Sequence, residues 1–118
     1  MLMQAPPTDA EVIEAFAVYI GQRSAAGVLM AKAVSDIAFR DGRVRITLDP
    51  ARAGAEYWAL MEVQPFDNPA YFYGTVVAFN DDEGTWLRRR VTDVDVVDVD
   101  GRPLGTATVA ELYSRATG

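Results

Sequence analysis

Cysteine and histidine are both absent from this chain, and lysine occurs once, at Lys32. Without cysteine there is no disulfide, no zinc–thiolate site and no thiol nucleophile. Without histidine, an imidazole base, a His-ligated metal and a His-dependent triad are excluded as well. The glycines stand singly, so no Gly-rich phosphate loop is present, and no Ser or Thr sits beside a Lys base. Long apolar runs are also missing. The longest, Ala25–Ala31, stops at Lys32 and falls far short of a membrane span. The opening MLMQAPPTDAE has no basic stretch ahead of an apolar one and does not read as a signal peptide. A cytoplasmic location is the expectation.

What remains is a chain of 118 residues, 50% hydrophobic and 24% charged, which is the composition and size of one globular domain over 1–118. It carries 11 basic and 17 acidic residues, a net charge of -6. That balance opposes phosphate backbones and anionic lipid surfaces, so neither nucleic acid nor a membrane is an expected partner. The one basic run, Arg88-Arg89-Arg90, is followed at once by Asp93, Asp95, Asp98 and Asp100.

Residues 1–7, with Pro6 and Pro7, form an irregular lead-in. Thr8-Asp9-Ala10-Glu11 has the spacing of a capping box, and Val12, Phe16, Tyr19 and Ile20 follow at helical intervals. An amphipathic helix is predicted, with Gly21 as its stop and a second short helix over 25–33. Ile37 and Phe39, then Val44, Ile46 and Leu48, alternate around Asp41-Gly42, which predicts a β-hairpin with a type I′ turn. A brief helical turn is expected over 50–54, although Asp49-Pro50 could also cap a helix over 51–61, leaving 50–62 open between helix and strand. Strands are expected over 55–63 and 71–79, where alternation and aromatic content both favour them. A further strand is expected over 85–99. There Val94 and Val96 share one parity and Val97 and Val99 the other, so a bulge or break belongs near Val96-Val97. Thr108-Val109-Ala110-Glu111 repeats the capping box and opens a short C-terminal helix, although residues 104–112 also read as the start of an edge strand.

These elements predict an α+β fold: an N-terminal helix packed on a bent antiparallel sheet of about five strands, with a short C-terminal helix. A cone-like or a hotdog-like sheet would accommodate them. Both faces of 55–63 and 71–79 are apolar and need cover, which points to a homodimer or to a sheet curved around a pocket.

Four groups of residues are candidates for chemistry. Tyr57, Trp58, Tyr71, Tyr73 and Trp86 belong to an aromatic set suited to a small apolar ligand, though core packing uses the same residues. Arg88 and Arg90 share a strand face in this reading and can clamp a carboxylate or phosphate. Asp81, Asp82 and Glu83 form an acidic turn, a candidate contact for a basic protein partner. Glu62 and Asp67 are the carboxylates whose surroundings would suit a general base. No cofactor is implied. The spacing of Asp93, Asp95, Asp98 and Asp100 before Gly101 fails the calcium-loop pattern, so no metal site is implied either. The functional expectation is a small acidic binding module without catalysis. It would act through the acidic segment 81–100 or an aromatic-lined surface. The alternative is a cofactor-independent enzyme or carrier for a small apolar ligand, of the isomerase or cyclase type.

Overall fold

Two positive φ angles set the first half of the architecture. In the computed structural model, which describes residues 5–52, 54, 69–78 and 81–117, Asp41 (φ 51°) and Gly42 (φ 85°) join β1 (Val34–Arg40) to β2 (Arg43–Leu48). This is the predicted hairpin, in register from Arg40↔Arg43 to Val34↔Leu48, with one irregularity between Val34 and Asp36. Glycine is required at 42 for a second reason: a Cβ there would lie 2.7 Å from Thr92 Oγ1.

β2 next pairs with β3 (Asp93–Asp98), from Arg43↔Asp93 to Leu48↔Asp98, and this pairing is parallel. β3 pairs antiparallel with β4 (Pro103–Thr108), so the sheet order is β1-β2-β3-β4. The fold is therefore α+β as predicted, with four strands among the described residues against about five expected, and with one parallel neighbour pair. The parallel step arises because the chain between β2 and β3 returns it to the starting end of β2. There, Thr92 N–H donates to Gly42 C=O at 2.7 Å. The expected slip appears where Val96↔Gly105 gives way to Val97↔Pro103. The extra residue is Leu104, on β4, while β3 stays in step with β2.

α1 (Asp9–Ala25) opens with the predicted capping box: Thr8 Oγ1 accepts from Glu11 N–H at 3.1 Å, and Glu11 Oε1 from Thr8 N–H at 2.9 Å. It buries Val12, Ala15, Phe16 and Ile20. Gly21 does not end it. One glycine inside a helix costs about 1 kcal/mol, too little to stop a helix whose apolar face is packed. The stop comes at Gly27 (φ 90°), where Gly27 N–H bonds Ser24 C=O and Val28 N–H bonds Arg23 C=O, both at 3.0 Å. The second helix is accordingly shorter than expected, α2 at Leu29–Lys32. A single 3-10 turn occupies Pro50–Arg52, while the strand expected over 55–63 lies outside the described residues.

The expected strand 71–79 is instead two short helices, α3 (Ala70–Tyr73) and α4 (Thr75–Ala78), joined at Gly74. Alternation misled because both faces are apolar: Tyr73, Val76, Val77 and Ala78 are all buried. A short apolar run carries no period of its own. Thr75 Oγ1 donates to the Tyr71 and Phe72 carbonyls at 3.0 and 2.9 Å, which secures the junction. Gly74 is needed for space, since a Cβ would lie 2.6 Å from Leu112 Cδ1. The expected strand 85–99 also begins as a helix, α5 (Asp82–Leu87), before β3. α6 (Val109–Thr117) starts at the second capping box, with Glu111 N–H donating to Thr108 Oγ1 at 3.1 Å and Thr108 N–H to Glu111 Oε1 at 2.9 Å.

The described helices lie on one side of the sheet. α1 packs on β1, α3 on β3 and β4, and α4 against α6. Between them, Phe16, Ile46, Leu48, Tyr73, Val94 and Val96 form the centre of the core. The 71–79 segment thus finds cover within the chain, and the packing argument for a homodimer loses that support.

Candidate functional site

Among the described residues, those singled out in the sequence do not converge. Tyr73 is fully buried, and its hydroxyl donates to Met30 C=O at 2.7 Å. Phe72 meets the Tyr73 ring edge-on at 5.0 Å. Tyr71 is half-buried on α3, and Trp86 donates Nε1–H to Ala5 C=O at 2.7 Å. These aromatics fasten the core and the lead-in. Tyr57, Trp58, Glu62 and Asp67 lie outside the described residues.

Arg88 and Arg90 do not share a strand face, because the chain at 88–90 is the turn that follows α5. Arg88 donates to Val77 C=O at 2.8 Å and lies 4.9 Å from the Tyr113 ring centre. Arg90 donates to Pro7 C=O at 2.6 Å and to Asp9 Oδ1 at 2.7 Å, and it stacks over Phe39 at 5.2 Å. Each arginine ties separate segments together, which explains why neither meets the aspartates that follow in sequence.

The acidic turn also has structural work. Asp81 is the N-cap of α5, its Oδ1 accepting from Gly84 N–H at 2.7 Å, and Asp82 and Glu83 occupy the first helical turn. Carboxylates there meet the positive end of the peptide dipoles. Asp98 Oδ1 accepts from the Asp100 and Arg102 amides, both at 2.9 Å, and closes the β3–β4 turn.

A different set of side chains is brought together by the strands. On the sheet face away from the helices, register places Arg40, Arg43, Asp93 and Thr108 in one row and Ala38, Arg45, Asp95 and Thr106 in the next. Arg43 Nε donates to Asp93 Oδ2 at 2.6 Å. Arg45 reaches Asp95 Oδ2 with Nε at 3.1 Å and Nη2 at 3.0 Å. The two partners are layered. The arginine side chains are 54% and 52% exposed, whereas their aspartates are 16% and 12% exposed. Asp93, by its hydrogen bond first and its charge second, holds the Arg43 guanidinium above its ordinary pKa. Ala38 leaves space beside Arg45, and a shallow depression of about 500 Å³ opens there, lined by Arg40, Asp41, Arg43 and Asp93 as well.

A signal for this face is present in the sequence, but it is incomplete. Arg43-Val-Arg45 and Asp93-Val-Asp95 share a period of two, but nothing local shows that they pair in parallel at a separation of 50 residues. Among the described residues no group of acids could hold a metal ion, and no helix is long and apolar enough to cross a membrane. No family model, curated protein or solved structure matches the chain.

Proposed function

We propose that the chain is a small acidic interaction module of the cytoplasm, without catalytic activity, that binds through the sheet face carrying Arg43 and Arg45. The observation that carries this reading is the layering of Arg43 and Arg45 over Asp93 and Asp95. The acidic strand thus serves as a support: it spends one edge of each guanidinium and fixes its direction, leaving Nη N–H groups turned to water. Fixed donors lose less conformational freedom on binding than free arginines. The ligand that such a ladder fits is a carboxylate-bearing segment of a partner protein, taken up by paired N–H donors. The net charge of -6 does not forbid it. At physiological salt the screening length is about 8 Å, so distant carboxylates count for little beside contacting donors.

The test is a nuclear magnetic resonance titration of the labelled protein with oligo-glutamate, and with oligo-lysine as the opposite arm. Oligo-glutamate should shift the Nε–Hε signals of Arg43 and Arg45, with an effect that fades as salt is added. Binding of oligo-lysine alone, centred on Asp82, Glu83 and Asp100, would overturn the assignment of face and partner. It would instead support the acidic segment as a contact for a basic protein.

A further inference from the structure

The two outer strands of the sheet are finished differently. β4 begins with Pro103, carries the extra residue Leu104 and includes Gly105, all features that blunt an edge. β1 has a regular stretch from Asp36 to Arg40. The two-residue turn makes Arg40 and Arg43 a hydrogen-bonded pair, so Arg40 and Ala38 direct their backbone groups to β2. Ile37 and Phe39 therefore direct theirs outward, and no described residue meets them. Beside this edge runs a groove of about 430 Å³ between α1 and β1, with Ile13, Ala17, Ile20, Gly21, Val34 and Ile37 along it.

We infer that this edge is where a second copy of the chain docks, β1 against β1 in antiparallel register about a two-fold axis at Ala38. The outward groups of Ile37 and Phe39 limit the choice to a few registers, and charge selects among them. Centring on Asp36 sets that carboxylate against itself, and centring on Ile37 sets it against Ala38. Centring on Ala38 places Asp36 opposite the partner's Arg40 twice, and Ile37 opposite the partner's Phe39 twice. Opposite charges facing across strands stabilise the pairing, and like charges oppose it. Arg40 is suited to the exchange. Among the described residues it meets only its neighbour Asp41, at 3.7 Å, with both side chains 92% exposed. A five-residue edge is a small interface by itself. α1 flanks the same edge, with Ala17 and Gly21 along the groove, and nothing lies within 4 Å of a Cβ built on the glycine. The product is a continuous eight-stranded sheet whose arginine ladders lie on one shared face.

The absence of native cysteine makes the register directly readable. Ala38 would face its own copy as a non-hydrogen-bonded pair, with Cα atoms about 4.5 Å apart, within disulfide range. Oxidised Ala38→Cys should run as a covalent dimer at low micromolar concentration, while Leu104→Cys, on the opposite edge, should stay monomeric. In sedimentation equilibrium, Asp36→Arg and Arg40→Asp should each weaken the dimer at least tenfold, and the double exchange should restore it. Thermal melts of each variant confirm that the fold survives. A monomeric wild-type chain at 100 μM, or a dimer indifferent to both charge reversals, would overturn the inference. Oligo-glutamate binding is read on the same Asp36→Arg variant, so failure of the dimer and failure of the peptide site are separable.

Discussion

Val44, Ile46 and Leu48 alternate along β2 with Arg43, Arg45 and Thr47, and β3 repeats the alternation with Val94 and Val96 against Asp93 and Asp95. The first set is sealed under α1 and α3 with essentially no exposure. The second supports an ordered layer of charge that faces water. One backbone thus carries two surfaces with separate duties. Parity divides them, although Asp95 and Val97 on the second set are themselves buried, so a change on one set should be felt mainly there.

Substitutions can break that division or sharpen it. The largest effect belongs to the sealed face. Ile46→Ala should lower unfolding free energy by about 2–5 kcal/mol, through lost burial and the cavity left behind. Urea denaturation reads this directly, and a loss below 1 kcal/mol would mean that the two faces are not so differently packed. Next comes Gly74→Ala, which forces a methyl group against Leu112 and should cost about 1–3 kcal/mol by overpacking. Its mark is loss of protection in α6 when amide exchange is compared with wild type. Smaller still is Arg45→Gln on the charged face. Arg45 is half open to solvent while Asp95 is only 12% exposed, but glutamine keeps an N–H donor for that carboxylate, so the loss should stay at about 1 kcal/mol in urea denaturation. The same change should weaken oligo-glutamate binding by about tenfold, the worth of one charge-assisted hydrogen bond. Salt distinguishes the faces as well: 0.5 M NaCl should weaken the peptide contact and spare the core. Across neutral pH the Arg43 pair should be steady from the arginine side. A raised guanidinium pKa adds stability at every pH below its unfolded value, and this is lost only in strong alkali.

Legibility followed the range of the interaction. Thr8 with Glu11, Thr108 with Glu111, and Asp41-Gly42 are contacts between near neighbours, and each was readable from spacing alone. The break at Val96-Val97 was readable too, because a change of parity is a local fact, although the extra residue proved to be Leu104 across the ladder. The helices at 70–78 and 82–87 were missed for different reasons. The first is apolar on every side and has no period to betray it. The second displays the signature of a helix start, a capping Asp81 followed by Asp82 and Glu83, but an acidic cluster before a glycine also fits a turn. Arg88 and Arg90 could not be placed because their partners, Val77, Pro7 and Asp9, are distant in sequence or carry no signal at all. The arginine–aspartate ladder combines both problems, a local rhythm whose meaning depends on a remote strand.

That remote strand has a consequence for how the molecule is made. Every β2–β3 pair joins residues 50 apart, so the centre of the sheet cannot close until the intervening chain has been gathered. Local hairpins form in about 1–10 μs, and non-local pairings are what slow a domain down. The β1–β2 hairpin is therefore the natural early structure, and the docking of β3 the late one. During synthesis the hairpin leaves the ribosome with both edges open and with Arg43 and Arg45 lacking their carboxylates. For that interval the nascent chain has a temporary basic strand, which disappears when Asp93 and Asp95 arrive.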